Sequence, residues 1–150
     1  MAKATRTTAG KKDPATGIKY SDKSAGQPAL LPIFEAIKKR LLPYGKGSIT
    51  IRGGDGGQII LVSNKPVEIK GKIRPELWFA AALVQKGYVG FYFMPASTAA
   101  EKQAMFAPEL LQCLKGKSCF HIKKLDEKLL KEIKISLAKG YKHYQEKGML

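Results

Sequence analysis

Cys119-x-His121 sets a thiol and an imidazole two residues apart, with Cys113 shortly upstream and His143 near the C-terminus. These residue types ligate zinc or iron, or act as a nucleophile and its base. The spacing supports neither use. A structural zinc takes four ligands at defined geometry, and no second pair at metal-like spacing accompanies the first. On a strand, side chains at i and i+2 share a face but sit about 6.5 to 7 Å apart at the backbone, further than a nucleophile–base hydrogen bond prefers. The expectation is an ordinary pair of strand residues. No metal, cofactor or catalytic residue is assigned, and the chain is read as non-enzymatic.

Gly53-Gly54-Asp55-Gly56-Gly57 has the glycine density of a phosphate loop but lacks a Gly-Lys-Ser/Thr ending and runs into a strand, so no helix N-terminus faces an anion. It reads as a hairpin turn. Tyr88-x-Gly90-x-Tyr92 is more informative. If Val89, Phe91 and Phe93 alternate onto a helix-covered face, Tyr88, Gly90 and Tyr92 line the opposite one, with Gly90 leaving a gap between two rings. Lys115, Lys117, Lys123, Lys124, Lys128 and Lys131 gather around the last strand and the start of the last helix. Tyr88, Tyr92, His121, Lys117, Lys123 and Lys124 are therefore the candidate ligand-binding residues. Such a face suits a small anionic ligand, a protein partner or a second copy of the chain, so monomer and homodimer both stay open. Single-stranded nucleic acid, held by base stacking and phosphate contacts, is the alternative partner. Lysine in place of arginine gives little geometric selectivity, so no base-specific reading is expected. Simple packing accounts for tyrosines on a sheet equally well.

The 150 residues carry 27 basic and 12 acidic side chains, a formal net charge of +15. That sets up a positive surface potential favouring phosphates, anionic surfaces and acidic partners over cationic ligands. Two cysteines are too few for a disulfide framework, no apolar run reaches the ~18 residues of a membrane span, and the basic N-terminus lacks the apolar stretch of a secretory signal. A cytoplasmic protein with reduced thiols is expected.

The elements that position these residues follow from periodicity. Residues 1–27 hold Ile18 and Tyr20 as their only large apolar side chains and read as a flexible basic tail preceding one domain, 28–150. Leu30, Phe34, Ile37 and Leu41 form one helical stripe, with Pro28 and Pro32 in its first turn and Pro43 and Gly45 ending it. Strands follow over Ser48–Arg52 and Gln58–Ser63, with a short extended piece at Val67–Ile69. The densest apolar stretch, Glu76–Pro95, reads as a central hairpin turning at Gln85-Lys86-Gly87. Ala99–Phe106 and Glu109–Leu114 are short helical turns split at Pro108, and Lys117–Lys123 is the last strand. Asp126 caps a final helix whose buried stripe is Leu130, Ile133, Leu137, Tyr141 and Tyr144, with Leu125 able to staple against Leu130. The sum is an α+β sandwich: a mostly antiparallel sheet of about five strands, with an N-terminal and a C-terminal helix on one face.

The run KGKIRPELWFAAALVQKGYVGFYFMP, then LKGKSCFHIKKLD and a long terminal helix, resembles the YdhG-like domain family. The match covers roughly half of the chain well and the first helix loosely, and its motifs describe turns and core. The resemblance implies a small α+β domain of frataxin-like shape and, on the frataxin analogy, an intracellular iron-chaperone role. Hard iron ions favour carboxylate oxygens. Here the first helix sets one acid, Glu35, against Lys38, Lys39 and Arg40, so no residue of this chain is assigned to iron.

Overall fold

Pro28 and Pro32 can enter a helix only in its first turn, because neither donates a backbone N–H. In this computed structural model, which describes residues 23–54, 56–96 and 98–150, both sit there. Pro28–Leu30 is a 3-10 turn, and α1, Leu31–Leu41, continues from it. Leu30, Phe34, Ile37 and Leu41, joined by Ile33, are buried, while Lys38, Lys39 and Arg40 occupy the last turn, where cations meet free carbonyls. A second 3-10 turn, Leu42–Tyr44, carries Pro43 and ends the helical run at Gly45.

The strands are β1 (Ile49–Gly53), β2 (Gln58–Ser63), β3 (Val67–Ile69), β4 (Lys72–Arg74), β5 (Leu77–Gln85), β6 (Tyr88–Phe93), β7 (Leu114–Lys115) and β8 (Cys119–Ile122). Six of them form one sheet in the order β1-β2-β5-β6-β8-β7, every pair antiparallel, while β3 and β4 pair only with each other. The fold is α+β, a six-stranded antiparallel sheet with α1 and the long C-terminal helix α4 (Glu127–Glu146) packed against one face. The sheet exceeds the expected five by one short edge strand, β7, while β3 and β4 stand apart from it. Lys70 and Gly71 both take positive φ, 52° and 80°, which folds the Val67 stretch back as a ribbon. Leu114–Lys115 adds an edge pair too short to show any period.

The central hairpin forms as its composition predicts, with Val84 opposite Val89 and Gln85 opposite Tyr88. Its alternation is broken once. Across β2, Leu61 pairs with Ala80 but Val62 pairs with Trp78, leaving Phe79 as an extra residue. This bulge sends both Phe79 and Ala80 into the core under the helices and turns Trp78 to the other face.

Between sheet strands β6 and β7, the capping box of Thr98 and Glu101 starts α2 (Ala99–Met105), and Pro108 opens α3 (Pro108–Leu111). Asp126 caps α4, accepting from the amides of Lys128 at 2.9 Å and Leu129 at 3.2 Å. Leu125 does not staple, however. Leu125 is 54% exposed. Tyr141 is half-buried against Tyr44, and the remaining predicted stripe residues are fully buried. Of the tail expected over 1–27, residues 1–22 lie outside the described residues. Gln27 is tied to the central hairpin, its Nε2 donating to the Gln85 carbonyl at 2.9 Å and its Oε1 accepting from the Gly87 amide at 2.8 Å. Among the described residues no helix is long and apolar enough to cross a membrane.

Candidate ligand-binding cleft and the helix-free sheet face

Strand parity puts Tyr88, Gly90, Tyr92, Cys119 and His121 on the face away from the helices, as the alternation requires, since Val89, Phe91, Phe93, Phe120 and Ile122 all enter the helix-side core. Gly90 pairs with His121 and Tyr92 with Cys119, so adjacent strands bring the five together. Their geometry differs from an open aromatic platform. The Tyr88 and His121 rings stack on each other at 3.7 Å and 12°. The expected gap over Gly90 is filled: a Cβ there would lie 2.9 Å from the Tyr92 ring and 3.3 Å from Cys119 Sγ. Tyr92 is half-buried, edge-on to Trp78 at 6.2 Å, and its hydroxyl accepts from Gln85 Nε2 at 3.2 Å.

Electrostatics make this strip a poor place for nucleophilic chemistry. Burial pushes the Cys119 thiol up, opposed by a hydrogen bond from Tyr92, and burial also raises Cys113. Both therefore favour the unreactive thiol. Partial burial, then repulsion from Lys115 and Lys123, holds His121 below the usual imidazole range. Lys117, Lys123 and Lys124 are exposed at the strip's edge. Of the wider lysine cluster, Lys128 pairs with Glu109 at 2.8 Å. His143 lies elsewhere, its Nε2 3.0 Å from Glu101. Among the described residues, no three His, Cys, Asp or Glu side chains converge as metal ligands would.

A cleft of about 550 Å³ opens where the β3–β4 ribbon, the start of β5, the end of β6 and the last turns of α4 meet. Ile69, Leu77, Trp78, Met94, Pro95 and Met149 supply its apolar wall, with Lys70, Arg74 and Lys147 as cations around it. Register explains the ribbon's part: Val67 faces Arg74 and Ile69 faces Lys72, so Ile69 and Arg74 share one side while Glu68 and Ile73 share the other. The C-terminal end is pinned by the Ser63 hydroxyl, which donates to the Met149 carbonyl at 2.7 Å, and by the Tyr144 hydroxyl, which donates to the Trp78 carbonyl at 3.0 Å. Burial drives the Tyr144 pKa well up.

Trp78 is the odd member of this lining. Its side chain is buried, yet its indole Nε1–H finds no acceptor among the described residues. Buried donors are nearly always satisfied, and leaving one unpaired costs about 1–3 kcal/mol. Sequence reasoning selected neither Trp78 nor Lys70, Arg74 and Lys147. The available signals were the lone tryptophan of the chain and a Lys-Gly-Lys turn before a strand, and neither spacing predicts that residues 69–78 meet residues 143–149. No family model, curated protein or solved structure matches the chain.

Proposed function

We propose that this chain is a non-enzymatic binding module for a small amphipathic anion, an apolar body carrying a carboxylate, sulfonate or phosphate, held in the Trp78 cleft. The observation that carries the reading is the cleft's apolar wall, which includes Trp78, with Lys70 and Arg74 beside it. The apolar wall would take the body, and the cations would favour a negative head group. The volume falls within the roughly 300–1,000 Å³ of small-molecule sites, which combine apolar walls with a few polar groups. Lys147 contributes less, because Glu101 stands 3.7 Å from its ammonium. The thiols held in their protonated form support a binding role over a nucleophilic one. The sheet-face residues Tyr88, Tyr92 and His121 rank behind the cleft, since their rings already occupy one another.

The single tryptophan gives a direct test, because a chain with one indole should give one indole N–H resonance. Titration with 2-naphthoate is expected to shift it, its neutral alcohol analogue to bind at least tenfold more weakly, and Arg74→Glu to weaken naphthoate at least tenfold while Tyr88→Ala leaves it unchanged. An indole resonance unmoved at millimolar naphthoate, or binding lost in Tyr88→Ala and kept in Arg74→Glu, overturns the reading.

A further inference from the structure

Ile73 is the most exposed large apolar residue among those described, at 73% against 54% for Leu125. It stands on β4 between Lys72 and Arg74, both exposed, while Lys65 and Lys70 are exposed at the base and the turn of the β3–β4 ribbon. Residues 65–75 thus hold four cations and one acid, Glu68, a net +3. Among the described residues none of these five enters an ion pair.

The local sequence sets this ribbon apart. Counting outward from the Val67–Arg74 pair, the next pair would be Pro66 opposite Pro75, and neither has a backbone N–H with which to continue the ladder. At the other end Lys70 and Gly71, both at positive φ, close the turn. The ribbon therefore stops after three pairs and bonds to no other strand. Its register puts Ile73 with Glu68 on the side away from Ile69 and Arg74, which line the cleft. Ile73 belongs to neither apolar core. Single apolar residues in water are ordinary on protein surfaces. What marks this one is its setting, between two cations on a basic ribbon whose other side walls an apolar cleft.

We propose that the β3–β4 ribbon docks on an anionic lipid bilayer, with Ile73 entering the headgroup region and Lys70, Lys72 and Arg74 meeting the lipid phosphates and carboxylates. Anionic leaflets attract basic segments, and an apolar side chain placed in the interface adds to that attraction. Long lysine and arginine stems carry charge to the headgroup level from strand positions on either side of the ribbon. The phosphate backbone of a nucleic acid would meet the cations alone and leave Ile73 in water. The choice of a lipid surface also rests on the cleft reading above, since amphipathic anions are what such a bilayer holds. Glu68 opposes docking, and one apolar side chain with a net +3 gives a reversible contact that salt weakens.

Vesicle cosedimentation of the full chain tests this. Phosphatidylcholine vesicles with about 30% phosphatidylserine are expected to bind it at least tenfold more tightly than phosphatidylcholine alone, and less tightly as salt rises. Lys72→Glu is expected to weaken that binding at least tenfold, whereas Lys134→Glu, the same change of charge at an exposed position of α4, weakens it less than threefold. Ile73→Ser is expected to weaken it at least threefold and to leave the 2-naphthoate titration unchanged, with the far-ultraviolet dichroism of all three variants native. Equal binding of the native chain to both vesicles, or equal losses in Lys72→Glu and Lys134→Glu, overturns the proposal. So does an oligonucleotide bound more tightly than the anionic vesicles and released by Lys72→Glu, which assigns the ribbon to nucleic acid. A native chain that takes naphthoate but not the vesicles overturns the docking and spares the cleft, while one that takes the vesicles with the expected losses but not naphthoate keeps the docking and overturns the cleft reading.

Discussion

Replacing Gly140 with alanine separates helix propensity from packing, because the two act in opposite directions at one atom. Glycine inside a helix is worth up to about 1 kcal/mol less than alanine, so propensity alone makes Gly140→Ala stabilising. An alanine Cβ at this position of α4 would meet Phe93 Cε1 at 2.8 Å and Pro95 Cγ at 3.0 Å, closer than side chains tolerate. The Phe93 ring cannot withdraw. It is 1% exposed and held by Phe106 at 5.2 Å, Phe91 at 5.9 Å and Phe79 at 6.2 Å between ring centroids. Overpacking of this kind costs about 1–3 kcal/mol, which exceeds the propensity gain and leaves a net loss of about 1 kcal/mol. For a domain of this size that lowers the thermal midpoint by about 2–4 °C. Urea unfolding should show a lower midpoint at unchanged slope. Phe93→Leu removes the opposing ring atoms, so in that background Gly140→Ala should turn neutral or stabilising, a favourable coupling in a double-mutant cycle. A raised midpoint for Gly140→Ala in the otherwise native chain would refute the packing argument and leave the glycine without a structural reason.

Asp126→Ala removes the acceptor for two amides at the start of α4 and should cost about 1 kcal/mol, measured by urea unfolding, whereas Leu125→Ala should change little because that side chain is largely in water. Burial raises the Tyr44, Tyr92 and Tyr144 pKa values, so the folded chain retains these phenolic protons after the unfolded chain begins to lose them near pH 10. Their contribution is complete below that pH and lost above it. Thermal midpoints should fall from about pH 10 upward, and Tyr144→Phe should make the fall shallower. Single-stranded oligonucleotides should bind the +15 chain weakly and lose affinity with salt, with a log-log slope of about 0.7 per phosphate contacted. Tyr92→Ala should leave that binding unchanged, because the ring is packed against Trp78 and Cys119, and a loss of about 1–3 kcal/mol would instead identify a stacking platform.

Elements with a local cause were legible in the sequence. The first-turn prolines, the Asp126 cap and the two-residue alternation of β6 each depend on neighbours within four positions, and each forms as expected. The β3–β4 ribbon was half-legible, since Gly71 announces a turn but nothing local says the ribbon pairs apart from the sheet. The cleft was not legible, and the reason can be traced to one residue. Counting back from Ala82 by twos places Trp78 in the helix-side core. The extra residue at Phe79 reverses that parity, and it shows only in the pairing of β5 with β2. Bulges commonly re-aim a side chain beside a functional site. Here the side chain that is re-aimed is also one whose donor finds no partner among the described residues. Had Trp78 kept the regular alternation, its indole would have joined the helix-side core and the wall beside Arg74 would have lost its polar group. The candidate site is therefore a product of strand pairing, set by a register that no window of β5 alone contains.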